Sequence, residues 1–330
     1  MDLAGDIGGT HTRLALFAPG TPEPAALEIY SSRDHDGLEA MVRAFLEAHP
    51  ATIERACFGV AGPVRNGRVK TTNLAWPVDA ASLAAALGLE RVGLVNDLVA
   101  NAYGIAELGP DDVATLNEGD PAAGGNAAVV SAGTGLGEAG LFWDGTRHHV
   151  FASEGGHTDF GPRNDAETAL RTHLAAQHAH VSYERVCSGM GLVAIYGFLR
   201  SGGEPEPDWL AAEMAGRDAG GVISKAGLEG RDAVCVQALE MMVSIYGAEA
   251  GNLTLKLLAT GGVYLGGGIA PQILPKLQDG GFMAAFTAKG RFADLLEHVP
   301  VHVILNDRTA LLGAARLARG EPPALHHRRE

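Results

Sequence analysis

The chain is short of positive charge, of cysteine and of uninterrupted apolar sequence, and each shortage removes a class of function. Lysine and arginine number 25 against 39 aspartate and glutamate in 330 residues, a formal net charge of −14. The basic residues are scattered, so no basic stripe is present to neutralise a phosphate backbone, and nucleic acid is not an expected partner. Cys57, Cys187 and Cys235 are too few and too widely spaced for a disulfide framework or a metal-ligand pattern. They read as reduced thiols of a cytoplasmic protein. Acid stands at Asp2 and Asp6, where a secretory leader carries base, so secretion is not indicated. The longest uncharged run, Leu257 to Pro275, holds five glycines and two prolines, the composition of buried glycine-rich loops rather than of a membrane span. No Gly-x-x-x-x-Gly-Lys-Ser/Thr occurs, which excludes a Walker-type nucleotide site.

What is present is a globular composition, 46% hydrophobic and 19% charged, in a chain long enough for two cores. The segment Leu3 to Phe17 reads as a hairpin turning through Asp6-Ile7-Gly8-Gly9-Thr10-His11-Thr12-Arg13, with a further strand near Leu27 to Tyr30. Leu38, Met41, Val42, Phe45 and Leu46 recur at helical spacing, predicting a helix over Leu38 to Ala48. Arg55 to Val60 reads as a strand, Ser82 to Leu87 as a short helix and Arg91 to Val95 as a strand ending at Asn96-Asp97. Such alternation belongs to an α/β domain, whose ligands sit beyond the carboxyl ends of its strands. A second unit opens with the strand Ala127 to Ser131, followed by Leu141 to Val150 around an Asp144-Gly145 turn. A long helix is expected over Asp232 to Leu258, a strand over Pro300 to Leu305 and a closing helix over Ala310 to Ala318. The two glycine-turn hairpins, Asp6 to Leu16 and Ala127 to Phe142, suggest duplicated architecture.

Three glycine-rich elements stand out: Gly8-Gly9-Thr10, Gly133-Thr134-Gly135-Leu136-Gly137 and Gly266-Gly267-Gly268. Backbone without Cβ atoms approaches an oligophosphate closely and turns successive N–H groups toward it. Any one of these reads equally well as a tight turn; three together point to a nucleotide. Gly135-x-Gly137-x-x-Gly140 also matches the dinucleotide fingerprint, but that fingerprint opens a helix, and the residues after it are strand-like. The polar groups are Asn96-Asp97, Glu154-Gly155-Gly156-His157 and Glu184. Phosphoryl transfer to an alcohol needs a carboxylate to orient the hydroxyl and accept its proton, together with Mg²⁺ against the phosphate charge. Asp97 is the candidate base, with a helix-capping role as its plain alternative. Glu154-x-x-His157 is half of a di-iron helix motif, but adjacent glycines disfavour a helix and no second copy exists. A carboxylate and an imidazole on a glycine loop suit sugar hydroxyls, which are donors and acceptors at once; a surface loop is the plain alternative.

Taken in order, these residues resemble the bacterial glucokinase family, within the hexokinase, actin and Hsp70-like ATPase superfamily. The resemblance runs through Gly5-Asp6-Ile7-Gly8-Gly9-Thr10 with Arg13, Thr72-Asn73-Leu74-Ala75-Trp76, Asn96-Asp97, Ala132 to Gly137, Glu154 to Phe160, Glu184-Arg185-Val186, Ser188-Gly189 and Gly266 to Pro271. It implies a two-domain α/β fold of the actin-like (ribonuclease H-like) kind with an interdomain active-site cleft. The expected domains are residues 1–106, 107–305 and a C-terminal helix, 306–330, returning to the first. By the same resemblance, Gly8, Gly9, Thr10, Arg13, Gly133, Thr134, Gly135 and Gly137 hold ATP phosphates, with Asp6 near Mg²⁺ through water and Gly266, Gly267 and Gly268 near the adenosine. Asn73, Asn96, Asp97, Glu154, His157 and Glu184 match glucose-contacting positions, with Asp97 the base toward the 6-hydroxyl.

The implied activity is ATP-dependent phosphorylation of glucose by a cytoplasmic homodimer; alternatives are a kinase for another hexose or an N-acetylated amino sugar, or a sugar-responsive regulator on the same fold. The regulator needs a DNA-binding segment before Asp6, where five residues stand. No structural zinc is expected, since the cysteine-rich motif of related repressors and sugar kinases is missing. The sequence departs from the family pattern at His11, Gly62, Met190 and Glu138, and His11 and Glu138 flank the expected phosphate contacts.

Overall fold

Successive side chains of a strand face opposite ways, and the first strand is largely buried on both sides, with Leu3 and Ile7 on one and Asp2, Ala4 and Asp6 on the other, so both faces of its sheet need a cover. In the computed structural model, which describes residues 1–70, 76–120, 122–203 and 205–322, they have one. Leu3 and Ile7 pack with Met41 and Phe45 of the helix Leu38–Ala48. Ala4 packs with Leu311, Ala314 and Ala315 of the helix Thr309–Arg319. Asn73, expected at the sugar, lies outside the described residues.

Two compact units divide the chain. One comprises Met1–Asp112, Ala139–Ala152 and Asn306–Glu330, the other Val113–Glu138 and Ser153–Leu305. The strands are β1 (Asp2–Ile7), β2 (His11–Phe17), β3 (Pro24–Ser31), β4 (Arg55–Val60), the short β5 (Arg68–Val69) and β6 (Val78–Asp79), β7 (Gly93–Asn96), β8 (Val113–Asn117), β9 (Ala127–Ala132), β10 (Leu136–Trp143), β11 (His148–Ser153), β12 (Val263–Gly266) and β13 (Val301–Ile304). One sheet has the order β3-β2-β1-β4-β7 and another the order β11-β10-β9-β12-β13-β8. Apart from the edge strand β8, the second order repeats the first strand for strand: third, second, first, fourth, fifth. In both, the first strand pairs in parallel with the fourth. The duplication suggested by the two hairpins is therefore real at the level of topology, and the fold is the two-domain actin-like ATPase fold.

Residues 141–150 extend as a strand hairpin, and Gly135 and Gly137 lie at the start of β10 rather than at a helix N-terminus. That removes the dinucleotide reading, because no helix dipole meets a pyrophosphate there. Leu257 closes the long helix Ala233–Leu257, and the uncharged run after it breaks into β12 and short helices. Among the described residues no helix is long and apolar enough to cross a membrane.

The helix Asp97–Gly104 is set by glycines. A Cβ on Gly59 of β4 would lie 2.8 Å from Ala100 Cβ, one on Gly104 1.8 Å from the Thr309 carbonyl oxygen, and one on Gly313 1.7 Å from the Ala100 carbonyl oxygen. The two helix backbones can approach this closely only without side chains between them. The far end of the second helix is tied down by the fully buried Asp2, which accepts from Arg55 Nε at 2.8 Å and Arg319 Nε at 3.0 Å. Gly313→Ala is expected to cost about 1–3 kcal/mol through overpacking, and to lower the melting temperature by several degrees. Calorimetry on the variant checks this; a melt equal to that of the parent would mean the contact yields without cost.

Candidate active site

The expected residues fall into two groups, one in each unit. In the first unit, Asp6 and Arg13 are register partners across the β1–β2 hairpin, and Arg13 Nη1 donates to Asp6 Oδ2 at 3.2 Å. Arg13 Nη2 also reaches Asp307 Oδ2 at 3.2 Å, a partner not foreseen from the sequence. Burial pushes the Asp6 carboxyl above its ordinary range; Arg13 opposes this and Asp307 adds to it. The Gly8-Gly9-Thr10 turn is tight: Gly8 N–H donates to the His11 carbonyl at 2.9 Å. Ser32 braces it, its Oγ donating to the Gly8 carbonyl at 2.7 Å and its N–H to the Thr10 carbonyl at 2.9 Å. His11 itself is exposed.

Asn96 ends β7 and caps the helix Asp97–Gly104, its Oδ1 accepting from Leu98 N–H at 2.9 Å. Its amide donates to the Gly62 carbonyl at 3.1 Å, where the backbone has φ 110°, a conformation that favours glycine. Asp97 takes the first helical position, where the helix dipole favours negative charge, and its Oδ1 accepts from the same Leu98 N–H at 3.0 Å. The capping alternative is thus realised through Oδ1.

In the second unit, Glu184 is the hub. Its Oε2 accepts from Leu136 N–H at 3.0 Å, and its Oε1 lies 3.9 Å from His157 Nδ1. A Cβ on Gly135 would stand 2.3 Å from Oε2, so this glycine makes room for the carboxylate. Gly133 N–H donates to the Gly135 carbonyl and its own carbonyl accepts from Gly189 N–H, both at 2.9 Å. Gly189 opens the helix Gly189–Ser201, capped by Ser188. Thr134 completes the tip of this loop and Gly137 follows in β10. Gly267, at φ 79°, would put a Cβ 2.2 Å from the Ala132 carbonyl, which packs the Gly266-Gly267-Gly268 turn against the residue before the Gly133–Gly137 loop. Met190 is 47% exposed in the first turn of the same helix.

Glu154 and His157 bracket a single 3₁₀ turn, Gly155–His157, whose glycines are buried and whose two polar side chains are exposed. His157 N–H donates to the Glu154 carbonyl at 3.0 Å, and Thr158 Oγ1 donates to the Gly155 carbonyl at 2.8 Å. No group of three or more His, Cys, Asp or Glu side chains among the described residues could hold a metal ion.

The duplicated sheet, the glycine turns and a carboxylate–imidazole turn are the frame of a hexose kinase of the actin-like ATPase class. Comparison with known proteins agrees. Residues 3–321 match the glucokinase family. The chain is 44% identical to a glucokinase of Nostoc punctiforme, over 96% of this chain and 98% of that one. Its fold superposes on the glucokinase from an Antarctic psychrotroph with a TM-score of 0.83 at 29% identity, covering 97% of this chain and 99% of the other. A ROK family glucokinase from Streptomyces griseus, solved in complex with glucose and AMPPNP, shares the fold with a TM-score of 0.67 at 21% identity, covering 97% and 99%. The chain belongs to the glucokinase family.

Proposed function

We propose that the chain transfers the γ-phosphoryl group of ATP to the 6-hydroxyl of D-glucose, with Asp97 as general base. The observation that supports this most is the double engagement of Glu184, which binds the phosphate-loop backbone at Leu136 and faces His157 of the sugar turn. One carboxylate thereby fixes a nucleotide element and a sugar element in a common frame, as phosphoryl transfer requires, since its catalysis is mostly positioning. The relative from Streptomyces griseus binds glucose and an ATP analogue, which is the pair of ligands expected here.

In this reading Asn96, Asp97, Glu154, His157 and Glu184 contact the sugar, Asn73 joins them, and Asp97 accepts the 6-hydroxyl proton as the oxygen attacks the γ-phosphorus. Gly8, Gly9 and Thr10, with Arg13, and the Gly133–Gly137 loop hold the phosphates, and the Gly266-Gly267-Gly268 turn holds the adenosine. The carboxyl of Asp6, raised by burial, fits a neighbouring cation, which would favour its ionised form. Mg²⁺ would be held there through water and would supply charge compensation on the phosphate oxygens. The working assembly is a cytoplasmic homodimer with domains 1–106, 107–305 and a returning segment 306–330.

Product analysis by ³¹P NMR tests the reading: ATP and glucose should yield glucose 6-phosphate and ADP in equal amounts, and another phosphate ester or none contradicts it. Because Glu154 and His157 are assigned to ring hydroxyls, 2-deoxy- and 3-deoxyglucose are expected to lose about tenfold or more in kcat/KM, from polar partners left unpaired. Equal efficiency for glucose and both deoxy sugars would refute that assignment.

A further inference from the structure

Glu138 follows the phosphate loop in sequence, yet its side chain turns inward. It is 1% exposed, in β10, and faces Glu249 of the helix Ala233–Leu257, which is wholly buried. Neither oxygen of Glu138 has a hydrogen-bond partner of ordinary geometry. Two ionised carboxyl groups offer only acceptors, so their facing oxygens become a hydrogen bond only when one of them carries a proton. Two facing negative charges this deeply buried, with no partner for the oxygens of Glu138, would be heavily destabilising.

What surrounds the pair is the back of the sugar half of the site. A Cβ on Gly155 would stand 1.8 Å from Glu138 Oε2, so the Glu154–His157 turn rests directly on this carboxyl. On the other side, Glu249 Oε2 accepts from Asn252 Nδ2 at 2.8 Å, and the same amide donates to the Tyr183 hydroxyl at 3.0 Å. Tyr183 precedes Glu184. Lys256 Nζ lies 3.2 Å from Glu249 Oε1, and Lys289 Nζ donates to Asn252 Oδ1 at 2.6 Å. One buried chain of contacts thus runs from the Glu154–His157 turn through Glu138, Glu249, Asn252 and Tyr183 to the Glu184 turn.

We propose that the Glu138–Glu249 carboxyl pair is a positioning strut, which holds both sugar-contacting turns in register with the start of β10. This rests on the assignment of Glu154, His157 and Glu184 to the sugar. The proton belongs on Glu138: burial first, then Glu249, push its carboxyl up to about 8, against the opposing charge of Lys256. The other titratable groups facing the pair are the Cys187 thiol and the Tyr246 and Tyr183 hydroxyls, all held neutral by burial and by these acids.

Since the folded chain keeps a proton that an unfolded glutamate releases near 4.5, this contribution to stability is complete below that pH. It is lost as pH rises toward about 8. Above that point the pair becomes two like charges, and the turns that rest on it shift.

The test compares the wild-type chain with Glu138→Gln, which keeps shape and a donor toward Glu249 but cannot ionise. Melting temperatures from pH 5 to pH 9 should coincide at the acid end and diverge by several degrees at the basic end, with the glutamine variant the more stable. In steady-state kinetics, wild-type KM for glucose should rise by about tenfold at pH 9 relative to pH 6.5, the size that one pH unit beyond the titration allows. KM for ATP should stay level, and Glu138→Gln should show no such rise for glucose. Parallel melting curves would overturn the shared proton, and diverging melts with parallel sugar KM profiles would overturn the positioning role. The melting comparison needs no activity, so diverging melts in a chain that phosphorylates no sugar would sustain the proton-sharing pair and refute the proposed function instead.

Discussion

Replacing Asp97 by asparagine is expected to lower kcat by about 10²- to 10⁴-fold, the range a general base supplies, with little change in the melting temperature. The two halves of that expectation come from two separate jobs, capping and the proposed proton acceptance. Asparagine keeps a carbonyl oxygen to accept from Leu98 N–H, so the helix Asp97–Gly104 retains its first turn and Asn96 its cap. The glycine contacts that seat this helix at Gly59 and Gly313 are untouched. What disappears is an acceptor for the hydroxyl proton in the transition state. A loss confined to kcat, with KM for glucose within a few-fold of wild type, marks an interaction made only in the transition state. An unchanged kcat in a folded variant would remove Asp97 from the chemistry.

Glu184→Ala is expected to be the most damaging change in the second unit, lowering kcat/KM by about ten- to a hundredfold, the weight of a charge-assisted hydrogen bond. The carboxylate is 20% exposed and serves two neighbours. Its loss leaves Leu136 N–H without its acceptor and His157 without the acid beside it. The defect should therefore fall on both substrates, raising KM for ATP as well as for glucose, whereas a residue touching only sugar would spare ATP. Glu184→Gln, which can still accept from Leu136 N–H, should recover the ATP side. Initial rates with each substrate varied in turn distinguish these outcomes; an ATP KM unmoved by Glu184→Ala would contradict the shared hold.

The sequence was most legible where backbone geometry and residue type coincide. The helix Leu38–Ala48 carries strong apolar periodicity and the strand Arg55–Val60 a short uninterrupted apolar run, and both have the expected limits. The short helix predicted from Ser82 begins at Ala80, because Asp79 Oδ1 caps it by accepting from Ala81 N–H and Ser82 N–H. Glycine motifs were informative because so many are sterically required: a Cβ on Gly156 would stand 2.1 Å from the Leu136 carbonyl.

Elsewhere the residue type pointed the wrong way. Glu138 flanks the expected phosphate contacts in sequence, yet its side chain is in the core. Glu249 stands inside a long helix where the small residues around it, Gly247, Ala248, Ala250 and Gly251, are buried all round. Ser32 braces the Gly8-Gly9-Thr10 turn and Asp307 pairs with Arg13 from positions far off in the chain, and only the folded chain brings them there. The helix Asp97–Gly104 carries little periodic signal because it is only eight residues long, and its one mark in the sequence is the capping role open to Asp97.

The central claim is tested most directly by following ADP release with Mg-ATP in the presence of glucose, mannose, fructose, N-acetylglucosamine or no sugar. The account predicts release that depends on glucose, exceeds that with the other acceptors and matches glucose 6-phosphate mole for mole. No release with any sugar, or release that proceeds equally without one, would contradict it.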